Sequence, residues 1–302
     1  MFFFKLRTAT TNILVISSII APFSAQAEPV GVVQEVQNGA GNLSSLDNQT
    51  VDPAILRQQL RVKPIRINTQ RVYSPGTSAG IPSGFGTNWG DLYFAIAGAT
   101  ANRVRREIID GGASVALGFG NARDILGLEL SYSLLSIRKF GRNGSFNAKV
   151  HRIVYSNPNT YIATAIGWNN FARHGENDRD AGIINGQFVG TPSSVYGVVS
   201  AYHFLNPKSA NPVPVNISLG VGEAPLFSNS GLGIIAGAGI QVTPNIGVST
   251  GWSGKGLNLG VSYLPVRTLP MSLNVIYGDV FQNTEPGSVL SFSLGYGFNF
   301  TD

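Results

Sequence analysis

From Trp89 to the end of the chain, apolar residues recur at every second position, the period of a β-strand with two unlike faces. Strands are expected near 90–100 (Leu92, Phe94, Ile96), 112–120 (Val115, Leu117, Phe119) and 124–136 (Leu126, Leu128, Leu130, Tyr132, Leu134). Further strands are expected at 145–156, 158–169 (Ile162, Ile166, Trp168) and 192–205 (Tyr196, Val198, Tyr202, Phe204). The pattern continues at 212–222 (Val213 to Val221), 230–242 (Leu232 to Val242), 245–253 (Ile246, Val248, Trp252) and 256–264 (Leu257 to Tyr263). It closes at 269–280 (Met271 to Tyr277) and 288–300, the stretch "SVLSFSLGYGFNF". That makes about twelve strands, most of them roughly 9–13 residues long, where soluble strands more often run about 5–6 and tilted membrane-spanning ones about 9–11.

The connections alternate in length. "NARD", "SNPN" and "TPN" are short, whereas 101–111, 136–144, 170–191, 223–231 and 279–287 are long. The link "SGKG" departs from this alternation. Short turns at one end and long loops at the other characterise outer-membrane barrels.

The second face of each segment is small and uncharged. Around 230–242 it reads Gly231, Gly233, Ile235, Gly237, Gly239, Gln241; around 245–253, Gly247, Ser249, Gly251, Ser253. A soluble sheet would carry Lys, Glu and Arg there. Small residues suit the crowded inside of a modest barrel, which leaves the apolar face for lipid. Tyr132, Trp168, Tyr202, Trp252, Tyr263, Tyr277 and Phe300 lie near strand ends, as interfacial girdles would.

The last strand resembles the C-terminal recognition signal of Gram-negative outer-membrane β-barrels. Ser293, Gly295, Phe298 and Phe300 fall on its polar, glycine, apolar and aromatic positions. Thr301 and Asp302 trail where that signal usually ends on the aromatic. The resemblance covers 88–302 in architecture and implies insertion by the outer-membrane assembly machinery.

Composition agrees with export into a membrane. Charged residues make up 12 %, about half the usual share. The absence of cysteine excludes disulfides, thiolate metal sites and a Cys nucleophile. "MFFFKLR", an apolar run and "AQA" at 25–27 form a signal peptide over 1–27, cleaved after Ala27. Two of the five surplus positive charges, Lys5 and Arg7, belong to it, and no basic run suggests nucleic acid. Residues 28–87, rich in Gln, Asn, Ser, Pro and Gly, read as a loosely ordered N-terminal periplasmic extension or a plug.

Chemical motifs are few. "GVSTG" at 247–251 lies within a strand, not at the bend a nucleophile elbow needs, and no helix follows "GLGIIA". His174 with Glu176, Asp178 and Asp180 makes a loop cation site conceivable, but without the spacing of a known loop a solvated extracellular loop is preferred. Neither a metal nor a cofactor is expected, and the chain is not expected to be an enzyme. Lumen candidates are Asp91, Glu129, Lys149, His151 and His203. A hairpin centred near Phe140 sets Glu129 across from His151 and diagonal to Lys149; facing charges inside a barrel either line an aqueous path or brace a closed one.

The expectation is therefore an all-β, closed, antiparallel up-and-down transmembrane β-barrel over 88–302, located in the outer membrane with lipid as its surroundings. A small pore or passive channel for small solutes or ions is the expected role. A structural or adhesive surface protein without transport is the alternative, as is a soluble exported ligand-binding β-protein.

Overall fold

Every barrel strand has two hydrogen-bonded neighbours, and the first pairs with the last. The computed structural model describes residues 75–302, apart from 77, 101–109, 135–136, 138–142, 176–181, 185–186, 190–191, 208, 210–211, 285 and 302. The expected signal peptide and most of the expected extension lie outside the described residues.

The strands are β1 (Asp91–Ala99), β2 (Asp110–Gly120), β3 (Gly127–Leu134), β4 (Asn143–Asn157), β5 (Thr160–Gly175), β6 (Gly182–Ile184) and β7 (Gln187–Val189). They continue with β8 (Ser194–Leu205), β9 (Val213–Glu223), β10 (Leu232–Thr243), β11 (Ile246–Trp252), β12 (Leu257–Tyr263), β13 (Met271–Gly278) and β14 (Val289–Asn299). Twelve form one closed antiparallel up-and-down barrel, and β6 and β7 form a separate two-stranded ribbon. All twelve segments of alternating pattern are barrel strands. The ribbon was not expected; it lies in the long stretch between β5 and β8.

The faces follow the alternation on eleven strands, except that Leu134, at the end of β3, is buried rather than exposed. Outward residues include Ile166 (67 % exposed), Leu219 (61 %) and Ile234 (63 %), within a belt of exposed aliphatic and aromatic side chains around the wall. The inward positions hold buried Ser133, Asn147, Ser200, Asn216, Ser218, Ser262, Ser291 and Ser293. This distribution inverts that of a water-soluble barrel.

β8 is the exception. Tyr196, Val198 and Phe204, expected outside, are buried, and Val195 and Val199 are exposed instead. Tyr202 shares the inward phase, so it is not a girdle residue. Apolar residues face inward here because the lumen beside β8 is filled with other apolar groups. Ile81, Ala165, Tyr196, Val198, Leu226, Phe227 and Ile235 make one buried cluster.

Aromatic contacts gather at both ends of the wall. At the short-turn end, Trp89 lies 6.0 Å from Phe119 and 5.8 Å from Phe300. At the long-loop end, Phe146 lies 5.1 Å from Tyr132 and 6.4 Å from Phe171, and Trp168 lies 5.9 Å from Phe171.

Candidate functional site: the occupied lumen

Residues 75, 76 and 78–88 lie inside the barrel and add no strand to it. Near the short-turn end, the Gly76 amide donates to Ser262 Oγ at 2.8 Å. Higher in the lumen, Asn258 Nδ2 donates to the Ala79 carbonyl at 3.1 Å. Gly80 has a φ of 67°, a left-handed conformation glycine adopts without strain, and the chain turns there. Ile81 then packs into the cluster against Tyr196 and Phe227. The Gly84 amide donates to Ser200 Oγ at 2.8 Å, and Phe85 meets the Tyr202 ring edge-on at 6.4 Å.

The segment returns to the short-turn end over the predicted charges. Glu129 stands opposite Lys149 in the β3–β4 ladder, and His151 stands opposite Gly127. The expected register, with Glu129 across from His151, was thus off by two residues. The turn that sets this register includes 135–136 and 138–142, outside the described residues, and alternation alone does not count turn residues. Lys149 Nζ lies 3.1 Å from Glu129 Oε2, and both side chains are buried. Lys149 also donates to the Phe85 carbonyl at 2.8 Å. Glu129 accepts from the Thr87 amide at 3.0 Å and the Thr87 hydroxyl at 3.2 Å. The ion pair therefore grips the backbone of the inserted segment at two points. An uncompensated charge at such depth would cost several kcal/mol; here each charge has its counter-charge and at least one further hydrogen bond.

His151 is buried beneath Gly86, where a side chain would fall 2.7 Å from its Nδ1. Gly84 is fitted still more tightly, because a Cβ there would strike the Ala163 carbonyl. Asp91 secures the exit: it accepts from the Asn88 amide at 2.8 Å and from Asn299 Nδ2 at 2.9 Å. Trp89 then donates from its backbone to Gly120.

His203 is not a lumen residue. It occupies the outward phase of β8, is exposed, and shares a hydrogen bond with Thr160 Oγ1 at 2.8 Å. Its placement went wrong with the face of its strand. His174 bonds Tyr132 Oη through Nε2 at 2.9 Å and stacks on that ring; Glu176, Asp178 and Asp180 lie outside the described residues. Among the described residues no cluster of His, Asp and Glu could hold a metal.

The long-loop end contributes the connection at 224–231. Phe227 turns into the barrel against Tyr196, with ring centroids 5.6 Å apart. The Leu226 amide donates to Ser194 Oγ at 3.3 Å, and Lys255 Nζ donates to the Pro225 carbonyl at 3.1 Å. The inserted segment and this connection meet in the cluster around Ile81. The sequence reading missed both Phe85 and Phe227. Paired inward glycines, Gly237 and Gly251 facing Ile81, were the signal that something enters the space they leave.

On the last strand, Ser293 and Gly295 face inward, and Phe298 and Phe300 face outward. Gly295 leaves room for the Tyr93 hydroxyl.

No family model matches the chain, and no curated protein matches it. Similar solved structures include the KdgM porin in complex with disordered oligogalacturonate, at 7 % identity over 68 % of this chain and 99 % of that one, with a TM-score of 0.40. The COG4313 outer membrane channel from Pseudomonas putida F1 has 11 % identity over 70 % of this chain and 97 % of that one, with a TM-score of 0.39. The Acinetobacter baumannii outer membrane protein Omp33 has 10 % identity over 70 % of this chain and 98 % of that one, with a TM-score of 0.37.

Proposed function

We propose that this protein spans the outer membrane as a twelve-stranded barrel and serves as a passive channel for small polar solutes or ions. One observation carries the reading. The exposed belt is aliphatic and aromatic, and much of the buried interior is serine, asparagine, glycine and an ion pair. Only lipid makes such a belt favourable, and a closed barrel satisfies its backbone groups there. A polar wall is what a hydrated path needs. The C-terminal strand supports delivery by the outer-membrane assembly machinery, with Ser293, Gly295, Phe298 and Phe300 as its recognition positions.

The apolar cluster around Ile81 supports a second reading, a solute-tight barrel with a structural role at the surface. Planar-bilayer recording of the refolded full chain separates the two. Stepwise currents are expected from the channel. Silence at every voltage and salt, in the wild type and in a chain with Glu129→Gln and Lys149→Met, would leave the structural reading.

A further inference from the structure

We infer that the described residues of the stretch 75–88 are a withdrawable plug, latched by the Glu129–Lys149 pair, whose departure opens the lumen. The inference rests on the channel reading and adds the regulation of that site.

Four features make the segment separable from the wall. The ladder closes between β1 and β14 without it, so its departure breaks no strand pairing. Its backbone is held chiefly by wall side chains: Ser262, Asn258, Ser200, Lys149 and Glu129. All of these can exchange the segment for water. Its own composition offers little else to grip, since Pro75, Gly76, Ala79, Gly80, Pro82, Gly84 and Gly86 leave Ile81 and Phe85 as the large apolar anchors. Finally, the latch survives departure, because Lys149 and Glu129 keep each other as counter-charges at 3.1 Å. A static core would bury that pair permanently at a cost in desolvation; a pair that becomes hydrated on opening recovers it.

A covalent lock tests the inference directly, because the chain has no native cysteine. A Cβ at Gly260 would lie 3.3 Å from Ala79 Cβ, a few tenths inside the about 3.5–4.5 Å that a disulfide takes, and the Ser249 hydroxyl, 2.6 Å from that Cβ, is removed by Ser249→Ala in every chain tested for the lock. The full chain with Ala79→Cys and Gly260→Cys should conduct when reduced and lose current at least ~tenfold when oxidised, since the open population is then removed. Equal current in both states, with the disulfide verified by mass, overturns the plug.

A second readout is independent of current. Ser83, buried within the segment, is replaced by Cys in an otherwise unchanged chain and labelled with a membrane-impermeant maleimide. Adding Glu129→Gln and Lys149→Met should speed labelling about tenfold as the latch weakens. Unchanged labelling overturns the inference. Faster labelling with no current in any variant upholds the moving segment and removes the channel reading instead.

Discussion

Lys149 and Glu129 face each other across the β3–β4 ladder, and each also holds the backbone of the same inserted segment, at Phe85 and Thr87. One ion pair therefore joins the wall of the barrel to its contents. Reversing one charge sets two carboxylates face to face in a buried place. Lys149→Glu should lower unfolding stability by about 3–5 kcal/mol, the cost of breaking a buried pair. Glu129→Gln with Lys149→Met should cost clearly less, because no charge is left alone. Urea midpoints in detergent micelles give the comparison; equal midpoints for wild type and Lys149→Glu would mean the pair is bathed in water.

The two faces of β9 should respond oppositely to substitution. Ile217 points outward and is exposed, whereas its neighbour Ser218 is buried and shares a 2.7 Å hydrogen bond with Ser200. Ile217→Arg should cost about 2–4 kcal/mol in lipid vesicles, as expected for a cation near the midplane. Ser218→Ala should cost about 0.5–1.5 kcal/mol, the usual worth of one hydrogen bond. The reverse order in refolding titrations would mean that the wall does not face lipid.

Gly84 has no space for a side chain, because a Cβ would meet the Ala163 carbonyl and lie 2.9 Å from the Ser200 amide nitrogen. Gly84→Val should push the segment off β5 and β8 while leaving the sheet paired, at about 1–3 kcal/mol for overpacking. The expected sign is faster proteolysis near residue 84 with the heat-modifiable band of a folded barrel retained. Unchanged proteolysis would show that the wall yields instead.

At the long-loop end, Asp279 accepts from the amides of Asn283 at 2.8 Å and Thr284 at 2.7 Å. Asp279→Ala should loosen residues 279–288 without altering the barrel. Hydrogen exchange of the Asn283 and Thr284 amides should accelerate at least ~tenfold, given about 1.5–3 kcal/mol for a hydrogen bond to a charged group.

The wall was legible because a strand with one exposed apolar face and one face on a small lumen must alternate, and exposed Leu219 beside buried Ser218 states that rule in two residues. Its contents were not. The stretch 75–88 has no period, since it forms no ladder and follows side chains scattered over β3, β4, β8 and β12. The same contents misled the reading of β8, where Tyr196 and Val198 look inward to an apolar filling that strand periodicity does not reveal. Glu129 and Lys149 could be placed on the inward side from alternation alone, but their direct pairing depended on a turn length that alternation does not fix.

Pro75 and Gly76 pass Gly247 and Ser262, and Asn88 and Trp89 pass Gly120 and Ala122; both places lie at the short-turn mouth. Both ends of the described stretch thus lie at one opening, as the two legs of a bight of rope do. A strand passed from mouth to mouth could leave only by drawing a free end through the barrel or by parting β1 from β14. A stretch whose two ends share a mouth needs neither, so the β1–β14 seam itself puts no bar on its departure.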